Sequence, residues 1–271
     1  PINPFKRRMK FVAGRETPEP ANETANRVVE AFASVYRSFG DQQKMTLYRA
    51  IRNGIEKYED HMTLTLLMDE LSLLEDSQKS VVTSIQSRLT QLVDMDPFDY
   101  TSENNWDNLF TSNGQVNIIQ LDGYEQIEIK KVLTEFILWD LWYFMLSNHE
   151  DRPVAVVLDE AQNLSFAQGA PSNLILREGR KFGWSAWFAT QTFSQFTTEE
   201  LAVFENAGTK IYFNPAESEV RSISKRLGGD YEEVLRSLKK GQCFVSGQFL
   251  EGNELGSPKQ YVVQVPPMDN R

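Results

Sequence analysis

Asp159 and Glu160 stand side by side near the end of the run R-P-V-A-V-V-L-D-E-A-Q-N, residues 152–163. Two adjacent carboxylates at the end of a buried strand are costly unless a metal or a polar substrate compensates them. The chemistry that suits such a pair is nucleotide hydrolysis. One acid, Asp159, would hold Mg2+ through water, and the other, Glu160, would orient or deprotonate the attacking water. The blander reading is an ordinary strand whose end is acidic and solvated. Short motifs match by chance, and on this stretch alone both readings stand.

The elements that must position the pair are legible around it. Pro153 opens the run and five apolar residues follow, which suits a strand buried on both faces. The carboxyl end of such a strand is where open α/β sheets bind ligands. A loop over 164–172 leads to a predicted helix over 173–182 (N-L-I-L-R-E-G-R-K-F), closed by Gly183. Arg177 and Arg180 are three apart and would project from one face of it. A strand over 184–192 ends in the polar stretch A-T-Q-T, which carries Gln191. Upstream, V-N-I-I-Q-L over 116–121 reads as a strand and 126–147 as a long, broadly apolar helix, packed against a sheet and a neighbour. Downstream, strands over 210–214, 241–249 and 259–265 alternate with helices over 201–207, 217–227 and 231–238, the last two strands reading as a hairpin. This alternation predicts α/β layers with a mostly parallel sheet, from residue 113 to 271.

The first part of the chain differs. Residues 1–20 read as a strand end and loop, and 21–112 as an all-helical subdomain. Its four helices lie near 22–39, 42–58, 63–74 and 77–93, each with an apolar stripe. Asp69, Glu70, Glu75 and Asp76 read as a solvated helix face rather than a metal site. A loop follows over 95–114, anchored by Trp106, Leu109 and Phe110. Lys6, Arg7, Arg8 and Lys10 form a basic cluster, read as a solvated turn in preference to a phosphate or DNA contact.

Composition narrows the classes. The 271 residues are 41% hydrophobic and 24% charged, ordinary for a globular chain. No apolar run reaches the roughly 18 residues a membrane span needs. A single cysteine, Cys243, excludes an intrachain disulfide and a cysteine-rich zinc site, and the two histidines lack metal-ligand spacing. A cytoplasmic setting is the simplest reading. The net charge of −10 argues against binding nucleic acid over the whole surface and leaves local basic loops open. The chain starts without Met, and it is expected to be a piece of a longer protein.

The order V-V-L-D-E-A-Q-N, then L-R-E-G-R-K-F-G, then A-T-Q-T resembles the second half of a HerA/FtsK-type P-loop ATPase, a family that includes the type IV secretion ATPases. Asn3-Pro4-Phe5 resembles the family's asparagine-proline pair, and the helical block resembles the all-α insertion of its secretion members. Within the family the likeness is greatest to HerA-like ATPases of phosphorothioation-dependent DNA restriction systems. The resemblance implies a RecA-like core, ATP and Mg2+ as cofactors, double-stranded DNA as partner, and a homo-oligomeric ring within a restriction or DNA-processing complex. It assigns Mg2+ to Asp159, water activation to Glu160 and γ-phosphate sensing to Gln191. Arg180, or failing it Arg177, would reach a neighbouring subunit's ATP. Pore loops are expected at 195–200 or 230–240, although Lys239-Lys240 also reads as a solvated helix end.

One departure is large. No G-x-x-x-x-G-K-S/T occurs in the chain, so the glycine loop that wraps phosphates is expected upstream of Pro1, and the isolated chain is expected to bind ATP weakly or not at all. Two other classes remain open. One is a degenerate, non-catalytic scaffold, against which the retention of Asp159, Glu160, Gln191 and Arg180 speaks. The other is a nuclease, which would bring a lysine close behind its acids where Ala161-Gln162-Asn163 offers none.

Overall fold

A computed structural model describes residues 2–12, 14–36, 38–101, 106, 116–147, 153–251 and 254–266. Leu109 and Phe110, expected as loop anchors, lie outside the described residues, as does His149. The chain divides into two compact units, Pro1–Ala155 with Asn163–Ser185, and Val156–Gln162 with Ala186–Arg271.

The first unit opens on an antiparallel hairpin that the sequence does not announce, β1 (Met9–Val12) with β2 (Arg15–Pro18). The helical block then forms as its stripes predict: α1 (Ala21–Val35), α2 (Asp41–Tyr58), α3 (Leu64–Ser72) and α4 (Glu75–Met95). Thr63 starts α3 by accepting the Leu66 N–H at 3.2 Å, which satisfies one of the free donors of a helix start. Leu47, Ile51, Ile55, Leu67, Leu71, Ile85 and Leu89 are fully buried. The acidic stretch is only partly a solvated face, since Glu70 is buried and accepts Lys57 Nζ at 2.9 Å.

The long helix α5 (Ile127–Ser147) is buried over most of its circumference. Phe136 sets its ring edge-on against Phe32 at 5.6 Å and Phe98 at 5.5 Å, tying α5 to the helical block. Ahead of it, 116–121 forms no strand. Val116 and Ile118 are exposed, and apolar residues that pair with no strand among the described residues do not make a sheet. Behind α5, α6 (Pro171–Glu178) ends earlier than expected and tightens into a 3-10 turn over Gly179–Phe182. A Cβ added at Gly179 would lie 3.0 Å from Trp184 Cβ, tighter than an ordinary contact, so a larger residue there would press on Trp184.

The sheet strands are β3 (Val154–Leu158), β4 (Trp184–Phe188), β5 (Thr209–Phe213) and β6 (Gln242–Gly247). The short hairpin β7 (Leu250–Glu251) with β8 (Glu254–Leu255) follows, then β9 (Lys259–Gln264). β3 pairs with β4 in the parallel sense: Val154 N–H bonds Gly183 O at 2.7 Å and Ala189 N–H bonds Leu158 O at 2.9 Å. β6 runs antiparallel between β5 and β9, the β6–β9 pairing being the expected closing hairpin. The second unit also holds α7 (Thr198–Phe204), α8 (Glu217–Arg226) and α9 (Glu232–Ser237). Its core joins Val220 and Ile223 of α8 to Leu235, Leu238 and Phe244. The expectation that β3 is buried on both faces does not hold. Val157 is 68% exposed and Trp187 60% exposed, so these two positions of the pair are not buried.

Glu135 of α5 is buried and accepts the Ser165 N–H at 3.2 Å. Burial pushes its carboxyl up to about 7, against which that hydrogen bond works only partly. The folded state therefore holds an extra proton between the ordinary carboxylate value and about 7. This group's stability is fully present below that ordinary value and is lost as pH rises through about 7. Glu135→Gln is expected to raise stability by about 2–3 kcal/mol near pH ~8 and to change it little near pH ~4.5. Urea unfolding at the two pH values checks this, and an equal effect at both would refute the assigned cause.

Candidate functional site

β3 stops at Leu158 because the backbone turns back over the end of β4, where Ala161 N–H donates to Ala189 O at 2.8 Å. Glu160 absorbs the turn. Its φ of +54° lies in the left-handed region, which costs a side-chain-bearing residue on the order of 1 kcal/mol or more and marks a position held by its surroundings. Its N–H donates to Asp159 Oδ1 at 2.9 Å, an interaction that helps to fix the turn.

The turn brings Glu160 against two amides. Gln191 Nε2, from the end of the next strand, donates to Glu160 Oε1 at 2.5 Å, and Gln162 Nε2 donates to Oε2. A carboxylate only accepts, so both amides must present their NH2 groups to it. Thr190 Oγ1 lies 2.8 Å from Gln162 Oε1 and 2.9 Å from Thr192 O, and its single proton serves one acceptor at a time. Behind this pair, Glu219 in the first turn of α8 gathers the loop after β4. Its Oε1 accepts Thr192 Oγ1 at 2.7 Å, Phe193 N–H at 2.7 Å and Ser194 N–H at 3.2 Å. A carboxylate there also faces the favourable end of the α8 dipole.

The structure thus joins Glu160 and Gln191 directly, with Asp159 adjacent. Asp159 is exposed and Glu160 half-buried. Among the described residues no three His, Cys, Asp or Glu side chains gather as a metal cage. A lone exposed carboxylate is a donor set that fits Mg2+ keeping most of its waters. Arg177 lies on α6 and Arg180 in the 3-10 turn, so they do not share one α-helical face as expected. Both are exposed in the first unit, and among the described residues neither forms an ion pair, Glu178 being taken by Lys181 at 3.8 Å. In 195–200, Thr197 and Glu200 cap α7 reciprocally, at 3.2 and 2.9 Å. Lys239 and Lys240 are exposed at the end of 230–240.

Sequence reading did not single out Gln162, Thr190, Thr192 and Glu219. The first three lie inside the quoted motifs, where a look at neighbouring polar residues would have found them. Glu219 is 27 positions beyond Thr192, and no local pattern joins the two.

Losing the Glu219 carboxylate removes the acceptor of Phe193 N–H, while Ser194 N–H keeps Thr192 Oγ1 at 3.1 Å and the Thr192 hydroxyl keeps Ser194 Oγ at 2.8 Å. Glu219→Ala is expected to lower stability by about 1–3 kcal/mol, and Glu219→Gln, which keeps an acceptor oxygen, by clearly less. Chemical denaturation of both variants checks the order, and equal losses would count against the loop-holding role.

The family described as AAA-like domain matches residues 16–253. Among solved structures the chain is similar to VirB4 of Thermoanaerobacter pseudethanolicus, with a TM-score of 0.67 and 15% sequence identity over 98% of this chain and 73% of that one. No curated protein matches the chain.

Proposed function

We propose, because the chain belongs to the AAA-like domain family, that it is the ATP-hydrolysing part of a HerA-like motor that moves double-stranded DNA as a homo-oligomeric ring in a restriction or DNA-processing complex. The observation that carries this reading is the Glu160 carboxylate, held between the Gln191 and Gln162 amides at the end of β3 beside the exposed Asp159. A carboxylate has lone pairs for about four donors, so two amides leave Glu160 able to accept a proton from water. Gln191, which donates to the same carboxylate, would orient that water. Asp159 would hold Mg2+ through water, and the bound ion would neutralise charge on the phosphates. Arg180, or Arg177, would act on a neighbouring subunit's ATP, where an arginine supplied in trans can be worth ~10³–10⁵ in rate.

A second reading, an ATPase of the type IV secretion kind, is favoured by the helical block α1–α4, which resembles the all-α insertion of that kind. The two readings separate on whether double-stranded DNA stimulates turnover.

In a polypeptide that supplies the phosphate-wrapping glycine loop, Glu160→Gln is expected to lower ATP turnover by ~10²-fold or more while nucleotide binding persists. Turnover at the wild-type rate would overturn the role of Glu160. Arg180→Ala is expected to lower turnover only in the assembled oligomer. Mixing it with Glu160→Gln subunits should restore part of the activity, and no recovery would refute action in trans.

A further inference from the structure

The basic cluster near the start of the chain is not the solvated turn expected of it. In the first unit, Arg7 and Arg8 enter a cleft of about 270 Å³ between the first residues and the second half of α5. Arg8 lies flat over the Tyr143 ring, its guanidinium carbon 3.3 Å from the centroid. Its Nη1 is closed off from solvent without a hydrogen-bond partner, and so is Arg7 Nε.

The surroundings do not neutralise this charge. Arg27 lines the same cleft, but both ends of its guanidinium are occupied, by Glu19 Oε1 at 2.5 Å and by Lys6 O at 3.1 Å. Burial raises the Glu19 carboxyl, yet Arg27 and Thr24 more than offset this and hold it below the usual carboxylate range. Glu19 is thus committed to Arg27. Asp140, the acid lining the cleft, accepts Trp106 Nε1 at 2.8 Å. Burial, with Arg27 adding, pushes the Arg8 guanidinium down to about 9, against Tyr143, Asp140 and Glu19, which pull it up. With Lys6, four cations face two carboxylates in a chain whose net charge is −10.

A buried guanidinium N–H without an acceptor costs free energy that a ligand oxygen would recover. Planar guanidinium groups match oxyanions that accept at more than one oxygen. Tyr143, stacked on Trp139 at 5.6 Å, backs the Arg8 guanidinium within the cleft.

We propose that this cleft of the first unit binds a phosphate-type oxyanion through Arg7 and Arg8, with no part taken by Asp159 or Glu160. The anion is carried either by a nucleic-acid strand or by a small phosphate, since both present the same oxygens. The proposal does not rest on the ATPase reading, and Lys6, Arg7 and Arg8 lie ahead of the stretch that the family matches.

Calorimetric titration of the 271-residue chain with inorganic phosphate, with a single-stranded thymidine oligonucleotide and with acetate tests it. Saturable binding of a phosphate-bearing probe is expected, weakened at least about tenfold by Arg8→Gln and by Arg7→Gln, with acetate, which carries less charge and fewer acceptor oxygens, binding more weakly. Oligonucleotide binding that inorganic phosphate displaces identifies a strand as the source. Phosphate binding without a tighter oligonucleotide identifies a small phosphate. Circular dichroism melting confirms that each variant is folded. Should Arg8→Gln unfold the chain, Arg7→Gln decides alone, because its side chain is only half-buried. No saturable binding of either phosphate-bearing probe, or unchanged binding by folded Arg7→Gln, overturns the proposal.

Discussion

Both oxygens of the Glu160 carboxylate are gripped by amides, and the amides are held in their turn. Gln162 is backed by Thr190, and the loop beyond Gln191 is tied by Thr192, Phe193 and Ser194 to one oxygen of Glu219. The exposed ends of such a network contribute little stability by themselves, because water competes for every bond. What fixes it is the apolar layer beneath. α8 is pinned by Val220 and Ile223, and Phe193 packs against the same core and, edge-on, against Phe204 at 6.2 Å. Burying each of these side chains stabilises by roughly 1.5–3 kcal/mol. That exceeds the cost of a left-handed glutamate, and the packing of α8 holds Glu219 where it gathers the loop after Gln191.

Val157 and Trp187 in the parallel pair, and Ile211 and Phe213 in β5, are exposed large apolar residues of the second unit. A run such as V-A-V-V-L satisfies the pattern of a doubly buried strand without saying what lies on either side of it.

Much of this arrangement was legible in the residues. Periodicity located α1 to α5 to within a few positions, because their stripes of Leu, Ile and Val are long enough to fix a phase. The Asp-Glu pair and Gln191 stood out because short polar sequences end short apolar runs. The failures have physical causes. Residues 116–121 carry a strand pattern, but a strand exists only where a neighbour offers its edge, and a single sequence does not record neighbours. The helix over 173–182 changes to a 3-10 turn at Gly179, which lies close to Trp184, five residues further on, a contact that spacing alone does not reveal. Glu219 reaches back over 25 to 27 positions, beyond any window in which local pattern has meaning.

The basic cluster teaches a different point about charge. Net charge averages over the surface, whereas binding depends on the charges that cannot relax. Lys10 pairs with Glu23 at the surface, and an exposed pair of that kind contributes little because solvent screens it. Arg8 is two residues away, yet it is packed on an aromatic ring with a donor shut off from water. Hydrophobic contacts of α5 create that difference. Phe136 anchors the helix against Phe32 and Phe98, and Tyr143, two turns on, is thereby set under the guanidinium. The same aromatic packing that closes the helical block thus leaves an arginine inside a cleft with a donor that meets no acceptor of the chain.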